Sequence, residues 1–344
     1  MRFLCPCSCP GSFRIACSLV FVFLFFLPSE TLATLTTPLA VSNQSPLVQI
    51  YGLPGMGRSS LLSVGEVETH FIVDVSSHFI QESYNEESLF LDGESYRYSM
   101  GVSYGVSEQL ELGMNIPYVA HQGGRIDSFI DGWHSFFGLP TNGRENVSDD
   151  QLSFEYHNNE GEVLSFQQED EGFGDLRLSA GWQIKAKTSD KPTAIALHGS
   201  LKLPTGDSEK LSGSGNADFA AWLSAGRQYS VAQMPLALMS SAGLLIVGQG
   251  EILEDQQRSL VWFGGLGVAL QPWERVKFQL QADFHSSFYH NSQLKGIDSH
   301  SVQLAIGGAI ILNAGHEIEL AVVEDIVVGT SPDVVFHLAW RKRF

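Results

Sequence analysis

Apolar and polar residues alternate along most of the chain. In VETHFIVDVSS, one parity carries Val67, Phe71 and Val73, whereas the other carries Glu68 and Asp74. Successive side chains of a strand point to opposite faces, so this alternation predicts strands with one apolar and one polar face. The same pattern recurs in YRYSMGVSYGV, LELGMNIPY, DLRLSAGWQIKAK, VKFQLQADFHSSF and FHLAWRKRF. With weaker segments included, the sequence predicts about twelve strands and almost no helix.

Short and long connections alternate between these strands. The short ones are GVSEQ, TSDKP, SVAQMP, QPWER and NAGHE, and the long ones are predicted at 80–94, 119–172, 204–215, 248–257 and 289–299. Short turns on one rim and long loops on the other, with an even strand number, are typical of bacterial outer-membrane barrels. The alternative is a soluble sandwich, whose apolar faces point inward. Single strands do not separate the two.

The first residues have the features of a targeting segment. Arg2 and Arg14 supply positive charge, IACSLVFVFLFFL is an apolar run, and Ala33 closes a small-residue cleavage site, with Ala40 as a second choice. We therefore predict a signal peptide at 1–33; the alternative is an N-terminal membrane anchor. An N-terminal periplasmic or plug segment then spans 34–63, and a transmembrane β-barrel spans 64–344.

Composition narrows the class of partner. The formal charge is −18, from 20 Lys+Arg and 38 Asp+Glu, and phosphate binding needs clusters of basic residues. We therefore expect no nucleic-acid partner. All four cysteines lie in the first seventeen residues, so the rest of the chain has no disulfide or cysteine-based metal site. The export signal and the strand pattern together predict the bacterial outer membrane.

The chain ends in FHLAWRKRF, in which Phe336, Leu338, Trp340 and Phe344 share one parity. This resembles the C-terminal signature of outer-membrane proteins, which the barrel-assembly machinery reads. Lys342 departs from the signature, which usually has an apolar residue there. The resemblance implies that the partners are this machinery, outer-membrane lipid and lipopolysaccharide.

A wider resemblance covers most of the chain after the signal peptide. SPLVQIYGLPG, GFGDLRLSAGW, LKLPTGD and the C-terminal strand resemble an uncharacterised family of Gram-negative outer-membrane β-barrel proteins, known as a domain of unknown function. The GFGD and LPTGD pair is also distantly similar to outer-membrane transporters of aromatic-degradation gene clusters. The resemblance implies an all-β, transmembrane antiparallel barrel and carries over no catalytic residue.

The polar parity supplies candidates for the lining of the lumen. It holds both charges, and the candidates are Glu66, Glu68, Asp74, Arg97, Glu111, Arg177, Lys185, Lys277, Asp283 and His285. Barrels of eight strands are filled by side chains and those of sixteen or more leave a channel, so twelve strands allow a narrow polar passage. Charge pairs across the lumen would equally seal it.

The connection 119–172 is acidic and carries the aromatic residues Trp133, Phe136 and Phe137. These three are candidates for a gate, because an exposed aromatic cluster would be unusual. The carboxylates are candidate ligands for divalent cations, but no calcium-loop spacing is present, which favours a plain acidic external loop. Such a loop would attract cations to the mouth of the barrel.

Two motifs suggest other chemistry. GLPGMGRSS lacks the P-loop pattern, so no nucleotide or other cofactor is implied. DFHSSF places Asp283, His285 and Ser287 on one parity, but alternate residues of a strand lie about 6.6 Å apart, beyond the reach of a catalytic triad. The sequence therefore predicts a protein that is not an enzyme. The first functional hypothesis is a passive channel or transporter for small solutes; the alternative is a structural or surface-interaction barrel with a closed lumen.

Overall fold

The computed structural model describes residues 37–124, 151–188, 191–327 and 329–344, together with Gly132. Its strands form one antiparallel sheet. They are β1 (Val67–Tyr84), β2 (Glu87–Gly105), β3 (Leu110–Gln122), β4 (Ser153–Asn158), β5 (Gly161–Phe166), β6 (Asp170–Phe173), β7 (Arg177–Lys185), β8 (Thr193–Lys202), β9 (Asp218–Val231), β10 (Met234–Ile246), β11 (Leu260–Trp273), β12 (Val276–His285), β13 (Ser301–Ile311), β14 (His316–Asp325) and β15 (Val334–Arg343). A 3-10 helix spans Glu254–Gln256. Within the described ranges, no helix combines the length and the apolar character that crossing a membrane would need.

Twelve of these strands close into a barrel, which confirms the predicted fold and strand number. Around the barrel the order is β1, β2, β3 and then β7 to β15, with β15 returning to β1. At the closure Val73 of β1 lies opposite Leu338 of β15, and on the other side Val73 lies opposite Tyr98 of β2. Closure pairs the edge strands, so no edge of the barrel is left unpaired.

The two faces of the barrel have opposite polarity. Leu266 and Ile306 point outward and are 61% and 58% exposed, whereas Gln281 and His337 point inward and are almost fully buried. In a soluble sandwich the large apolar residues would be the buried ones. Here they form the outer surface, so this chain has the fold of a membrane barrel, whose outer face contacts lipid.

The strand connections divide into two rims. The short turns between β2–β3, β7–β8, β9–β10, β11–β12 and β13–β14 lie on what we call the short-turn rim. Both ends of the barrel also lie there, because the amide of Val67 donates to the carbonyl of Phe344. The opposite end is the long-loop rim.

The predicted connection at 80–94 is mostly strand. β1 and β2 run on to a turn at Asn85, which has a φ of 54°, and they pair over their whole length. They contain 18 and 19 residues, whereas crossing a membrane takes about 9–11. The excess extends this hairpin beyond the other strands at the long-loop rim.

The region 119–172 also contains strands. β3 continues to Gln122, the β4–β5 hairpin pairs with β2 through Phe154 and Leu91, and β6 pairs with β3 through Phe173 and Tyr118. The gate candidates Trp133, Phe136 and Phe137 lie outside the described residues, as does the predicted signal peptide at 1–33.

Residues 37–63 lie inside the barrel, and we call them the plug segment. An ascending leg (37–44) runs from the short-turn rim toward the long-loop rim. An apex (45–53), where the amides of Val48 and Gln49 donate to the carbonyl of Ser45, turns the chain back. A descending leg (54–63) then returns to the start of β1. Leu39, Leu47 and Ile50 of this segment are at most 1% exposed.

Candidate functional site: the plugged lumen

Inward side chains of β12 and β14 hold the backbone of the ascending leg. The side-chain nitrogen Nε2 of Gln279 donates to the carbonyl of Thr37 (2.9 Å). The Leu39 amide donates to the side-chain oxygen of Gln281 (3.0 Å), and the Ala40 amide donates to Glu319 (2.8 Å). Side chains of the barrel strands, which together we call the wall, thus supply hydrogen-bond partners to the backbone of the ascending leg. These bonds satisfy backbone groups that are buried away from water.

The apex is apolar and closes the long-loop end. Leu47, Val48, Ile50, Tyr51 and Leu53 join one cluster with side chains of the wall, of the β4–β5 hairpin and of the loops at 247–259 and 286–300. Each fully buried large apolar side chain contributes about 1.5–3 kcal/mol. The long-loop end is therefore sealed by a hydrophobic core.

Two tyrosines fix the apex to the loop after β12. The Tyr51 hydroxyl donates to the Tyr289 hydroxyl (3.1 Å), which in turn donates to the carbonyl of Leu47 (2.9 Å). The Tyr51 ring stacks on Phe288 at 4.9 Å between centroids. Burial raises the pKa of Tyr289 above its ordinary value, so its hydroxyl stays protonated and remains a donor.

Charged side chains clamp the apex backbone from the wall below the apolar cluster. Arg177 donates to the carbonyls of Tyr51 (2.7 Å) and Leu53 (2.9 Å). Arg97 donates to the carbonyl of Gln49 (3.3 Å), and Lys202 donates to that of Ile50 (3.1 Å). Because these three side chains bond to backbone carbonyls, they fix the backbone conformation of the apex and do not depend on which side chains it carries.

The GFGD and LKLPTGD motifs meet in one buried ionic cluster. Lys202 lies 2.5 Å from Asp175 and 3.3 Å from Asp218, and all three side chains are at most 4% exposed. Asp175 also accepts from the amide of Gly206 (2.8 Å), and Asp218 accepts from the amide of Gly52 in the plug segment (2.7 Å). The motif residues therefore tie the strand ends, the loop at 203–217 and the apex together.

The glycines of GLPGMG allow the descending leg to approach its neighbours. A Cβ placed on Gly57 would lie 2.6 Å from Nε1 of Trp222 and 2.9 Å from Nε2 of His198. A Cβ on Gly55 would lie 2.5 Å from the carbonyl oxygen of Val41 on the ascending leg. Contacts this short do not accommodate a side chain, so the motif has a packing role.

The lower part of the descending leg is held by ion pairs. Arg58 contacts Glu68 of β1 and lies 3.7 Å from Glu111 of β3. Glu111 also accepts from the amide of Leu62 (2.9 Å), and His198 lies 2.8 Å from the carbonyl of Arg58. The candidates Glu68 and Glu111 are thus buried and face the plug segment.

A second network of ion pairs joins inward side chains of β1, β14 and β15 beside the ascending leg. His337 of β15 lies between Asp74 (2.6 Å) and Glu319 (2.9 Å), and Arg341 pairs with Glu319 (2.6 Å). Glu319 also accepts from the plug segment at Ala40. Asp74 therefore belongs to a chain of contacts that reaches the plug.

The other lining candidates have separate positions. Lys277 pairs with Glu317 near the short-turn rim (3.0 Å). Glu66 accepts from the amide of Ser63, where the plug segment joins β1. Lys185 lies beyond a register shift after Gln183 and is exposed.

The DFHSSF residues do not meet as a triad. His285 lies 2.9 Å from the side-chain nitrogen of Asn43 in the plug segment, and Asp283 accepts from Gln281 (2.8 Å). The Ser287 hydroxyl donates to the carbonyl of Tyr289 (2.8 Å). Each of the three has its own partner, as strand geometry leads one to expect. In the described part of the chain, no three His, Cys, Asp or Glu residues are placed to hold a metal ion.

A cavity of about 280 Å³ remains between the plug segment and the wall. Its lining includes Arg97, Arg177, Ser99 and Ser179 below the apex, and Glu68 and Arg341 near the short-turn rim. A polar cavity of this size has room for several water molecules. Apolar packing thus closes the lumen at the long-loop rim, whereas the part of the lumen toward the short-turn rim is lined by polar side chains.

The C-terminal residues face outward. Leu338, Trp340 and Phe344 are exposed by 44%, 39% and 71%. Lys342, the departure from the signature, donates to the carbonyl of Ala314 (2.8 Å) and lies 5.2 Å from the ring of Phe344. Its ammonium group thus reaches the turn between β13 and β14.

Sequence reasoning placed Lys202 on the inward parity, but it did not single out Asp218, Arg58 or the plug glycines as site residues. The repeated glycines of GLPGMG were a usable signal, because closely spaced glycines mark a close backbone approach. Asp218 had no signal of its own, since its partner Lys202 lies on the neighbouring strand and pairs with it only through the register of β8 and β9.

Comparisons with known proteins agree with this fold. The family model described as "Protein of unknown function (DUF3187)" matches residues 15–344. An outer membrane channel from Pseudomonas putida F1 superposes with a TM-score of 0.53 at 12% identity, covering 84% of this chain and 99% of that one. At this identity the likeness shows a shared barrel fold.

Two further solved structures are less similar. The NanC porin gives a TM-score of 0.41 at 6% identity, covering 80% of this chain and 98% of that one. The Pseudomonas putida toluene transporter TodX gives 0.34 at 11% identity, with 83% and 91% covered. No curated protein gives a significant match.

Proposed function

The chain belongs to the DUF3187 family of proteins of unknown function, and we propose that it is an outer-membrane channel for small solutes, closed at rest by its own plug segment. The observation that carries this proposal is the path of residues 37–63. The segment enters the lumen beside Gln279, three residues after the start of β12 at the short-turn rim, and leaves at Ser63 beside Glu66. Both legs therefore pass the short-turn rim, and the segment can withdraw as a loop without being threaded.

The polar contacts of the legs support a segment that moves. Most of the bonds along them join plug backbone to polar side chains of the wall, and water can replace either partner once the lumen hydrates. A hydrogen bond exchanged in this way contributes a net of only about 0.5–1.5 kcal/mol. The wall that the segment would leave behind is polar and already carries a cavity of about 280 Å³.

The orientation of the barrel in the membrane decides from which side the plug segment is released. With the long-loop rim outside, as in other barrels of this type, the short-turn rim and the entrance of the plug segment face the periplasm. The gate would then be released from the periplasmic side.

The second candidate is a structural or surface-interaction barrel whose lumen stays closed. The apolar cluster at the apex favours it, because withdrawal of Leu47, Ile50 and Tyr51 exposes buried surface. The two candidates differ in one measurable quantity, the conductance of the full-length mature barrel.

Gly57→Ala tests this directly on the whole chain. The added Cβ displaces the descending leg from Trp222 and His198, so we expect the open probability in planar bilayers to rise above that of the unaltered barrel. Gly199→Ala is the matched control, because the nearest atom to its Cβ outside the neighbouring residues would be the carbonyl oxygen of Ala220, at 3.8 Å. If Gly57→Ala shows the heat-modifiable mobility of a folded barrel but conducts no more than background, the structural barrel is the better explanation.

A further inference from the structure

The basic side chains that the described residues of the barrel and plug segment direct into the lumen fall into two groups. Five of them pair with a carboxylate: Arg58 and Arg343 with Glu68, Lys202 with Asp175, Lys277 with Glu317 and Arg341 with Glu319. Arg97 and Arg177 form no such ion pair with a described residue, although carboxylates lie nearby. Asp74 is opposite Arg97 in the register of β1 and β2, and Asp175 and Asp218 act on Arg177 electrostatically. A buried guanidinium that makes no direct ion pair is costly, so its retention calls for a specific reason.

These two arginines reach the same part of the plug segment, the apex. Arg97 is on β2 and Arg177 is on β7, with β3 alone between these strands, and both line the cavity below the apex. Serines complete this part of the wall, because Ser99 and Ser179 follow the two arginines on the same inward parity. Two fixed positive charges beside hydroxyl donors form an environment suited to an anion.

What the arginines bind in the closed state indicates the shape of that anion. The two terminal nitrogens of Arg177 donate to two separate carbonyl oxygens, those of Tyr51 and Leu53, at 2.7 and 2.9 Å. A carboxylate presents two oxygens to one guanidinium in the same bidentate manner. Arg97 donates to the carbonyl of Gln49 through one terminal nitrogen (3.3 Å).

We propose that Arg97 and Arg177 are the binding site for the carboxylate of the permeating solute, and that the apex carbonyls occupy this site while the channel is closed. The physiological role of this site rests on the proposed channel function, but binding of a carboxylate to it can be measured whether or not the barrel conducts. A solute carboxylate and the plug apex compete for Arg177, so solute binding and release of the plug favour each other.

Equilibrium dialysis of radiolabelled succinate against the detergent-solubilised full-length mature barrel tests the site without relying on conductance. We expect saturable binding that is tighter in Gly57→Ala, whose plug is loosened, than in the unaltered protein. Arg177→Gln should weaken binding roughly tenfold or more, as expected for loss of a charge-assisted bidentate contact. Arg97→Gln is the second variant, in case Arg177→Gln does not fold.

Lys277→Gln is the matched control, because it also removes a lumen cation, but one that Glu317 already neutralises. It should leave succinate affinity unchanged. Absence of saturable binding, or equal binding by the folded arginine variants and the unaltered protein, overturns the site. Competition by inorganic phosphate as strong as that by unlabelled succinate overturns the assignment to carboxylates.

A parallel bilayer measurement separates this inference from the proposed function. In Gly57→Ala, we expect a reversal potential in a KCl gradient that shows anion preference, and Arg97→Gln should reduce that preference. This differs from the cation attraction expected of the acidic loop, because the arginines line the cavity inside the barrel. Binding without conductance would contradict the channel and keep the site; conductance without binding would keep the channel and contradict the site.

Discussion

The hydroxyl of Tyr51 in the plug segment donates a hydrogen bond of 3.1 Å to the hydroxyl of Tyr289 in the loop after β12. This bond joins the part of the chain that fills the lumen to a loop of the long-loop rim. Tyr51→Phe removes the bond and keeps the stack on Phe288, so it should cost about 1 kcal/mol of closed-state stability. Tyr51→Ala also removes the ring, which costs about 3–5 kcal/mol for a large buried aromatic residue.

Single-channel recording of these two variants provides the measurement. The open probability should rise in the order unaltered protein, Tyr51→Phe, Tyr51→Ala. The exposed Tyr84 at the end of β1 offers a control substitution, Tyr84→Ala, which should change nothing. Equal open probability in all four proteins would show that the apex is not part of the gate.

Lys202 should be essential to the stability of the barrel. Lys202→Met leaves Asp175 and Asp218 buried without a cation, and breaking a buried ion pair from one side costs about 3–5 kcal/mol. The free energy of unfolding can be measured by urea titration in lipid vesicles, with tryptophan fluorescence as the signal. Lys210→Met, which removes a half-exposed ion pair with Asp170, should cost no more than about 1 kcal/mol. A loss for Lys202→Met no larger than that of this control would contradict the role of the motif cluster.

Epitope insertion should report the orientation of the two rims. An epitope after Asp255, on the long-loop rim, should be labelled by antibody on intact cells, because long loops of outer-membrane barrels face outside. One inserted after Glu274, in the turn between β11 and β12, should be labelled only after the outer membrane is permeabilised. The reverse pattern would place the plug entrance outside and overturn the proposed periplasmic release.

The C-terminal phenylalanine should matter for assembly more than for stability. Phe344 is 71% exposed, so its removal forfeits little packing within the folded chain. Phe344→Ala should lower the amount of folded barrel in the outer membrane, measured by heat-modifiable mobility of membrane fractions. Phe173→Ala, at a 63% exposed position outside the C-terminal signature, is the comparison. Similar levels of both variants would argue against recognition of the C-terminus.

The sequence by itself determined the barrel. Side chains alternate between the two faces of a strand with a period of two, so the local sequence alone assigns Phe71 to the outer face and Asp74 to the inner face. The repetition of this pattern, with short and long connections in turn, predicts the number of strands and the closed barrel. It did not determine where strands end. β1 and β2 continue through 80–94 because Leu89 and Leu91 pack under the β4–β5 hairpin and the loop at 286–300, and these contacts are distant in sequence.

Only the tertiary structure decided what fills the lumen. In the sequence, Arg97, Arg177 and Lys202 are equivalent basic residues on the inward parity. In the structure all three donate to apex carbonyls, but of the three Lys202 alone lies within ion-pair distance of two carboxylates. The difference arises from strand register, which places Asp218 beside Lys202, and from the path of residues 37–63, which brings the apex carbonyls to barrel residues 48 to 152 positions away in sequence. A one-dimensional pattern fixes the face of a side chain, whereas its partner depends on how the sheet closes around the segment inside it.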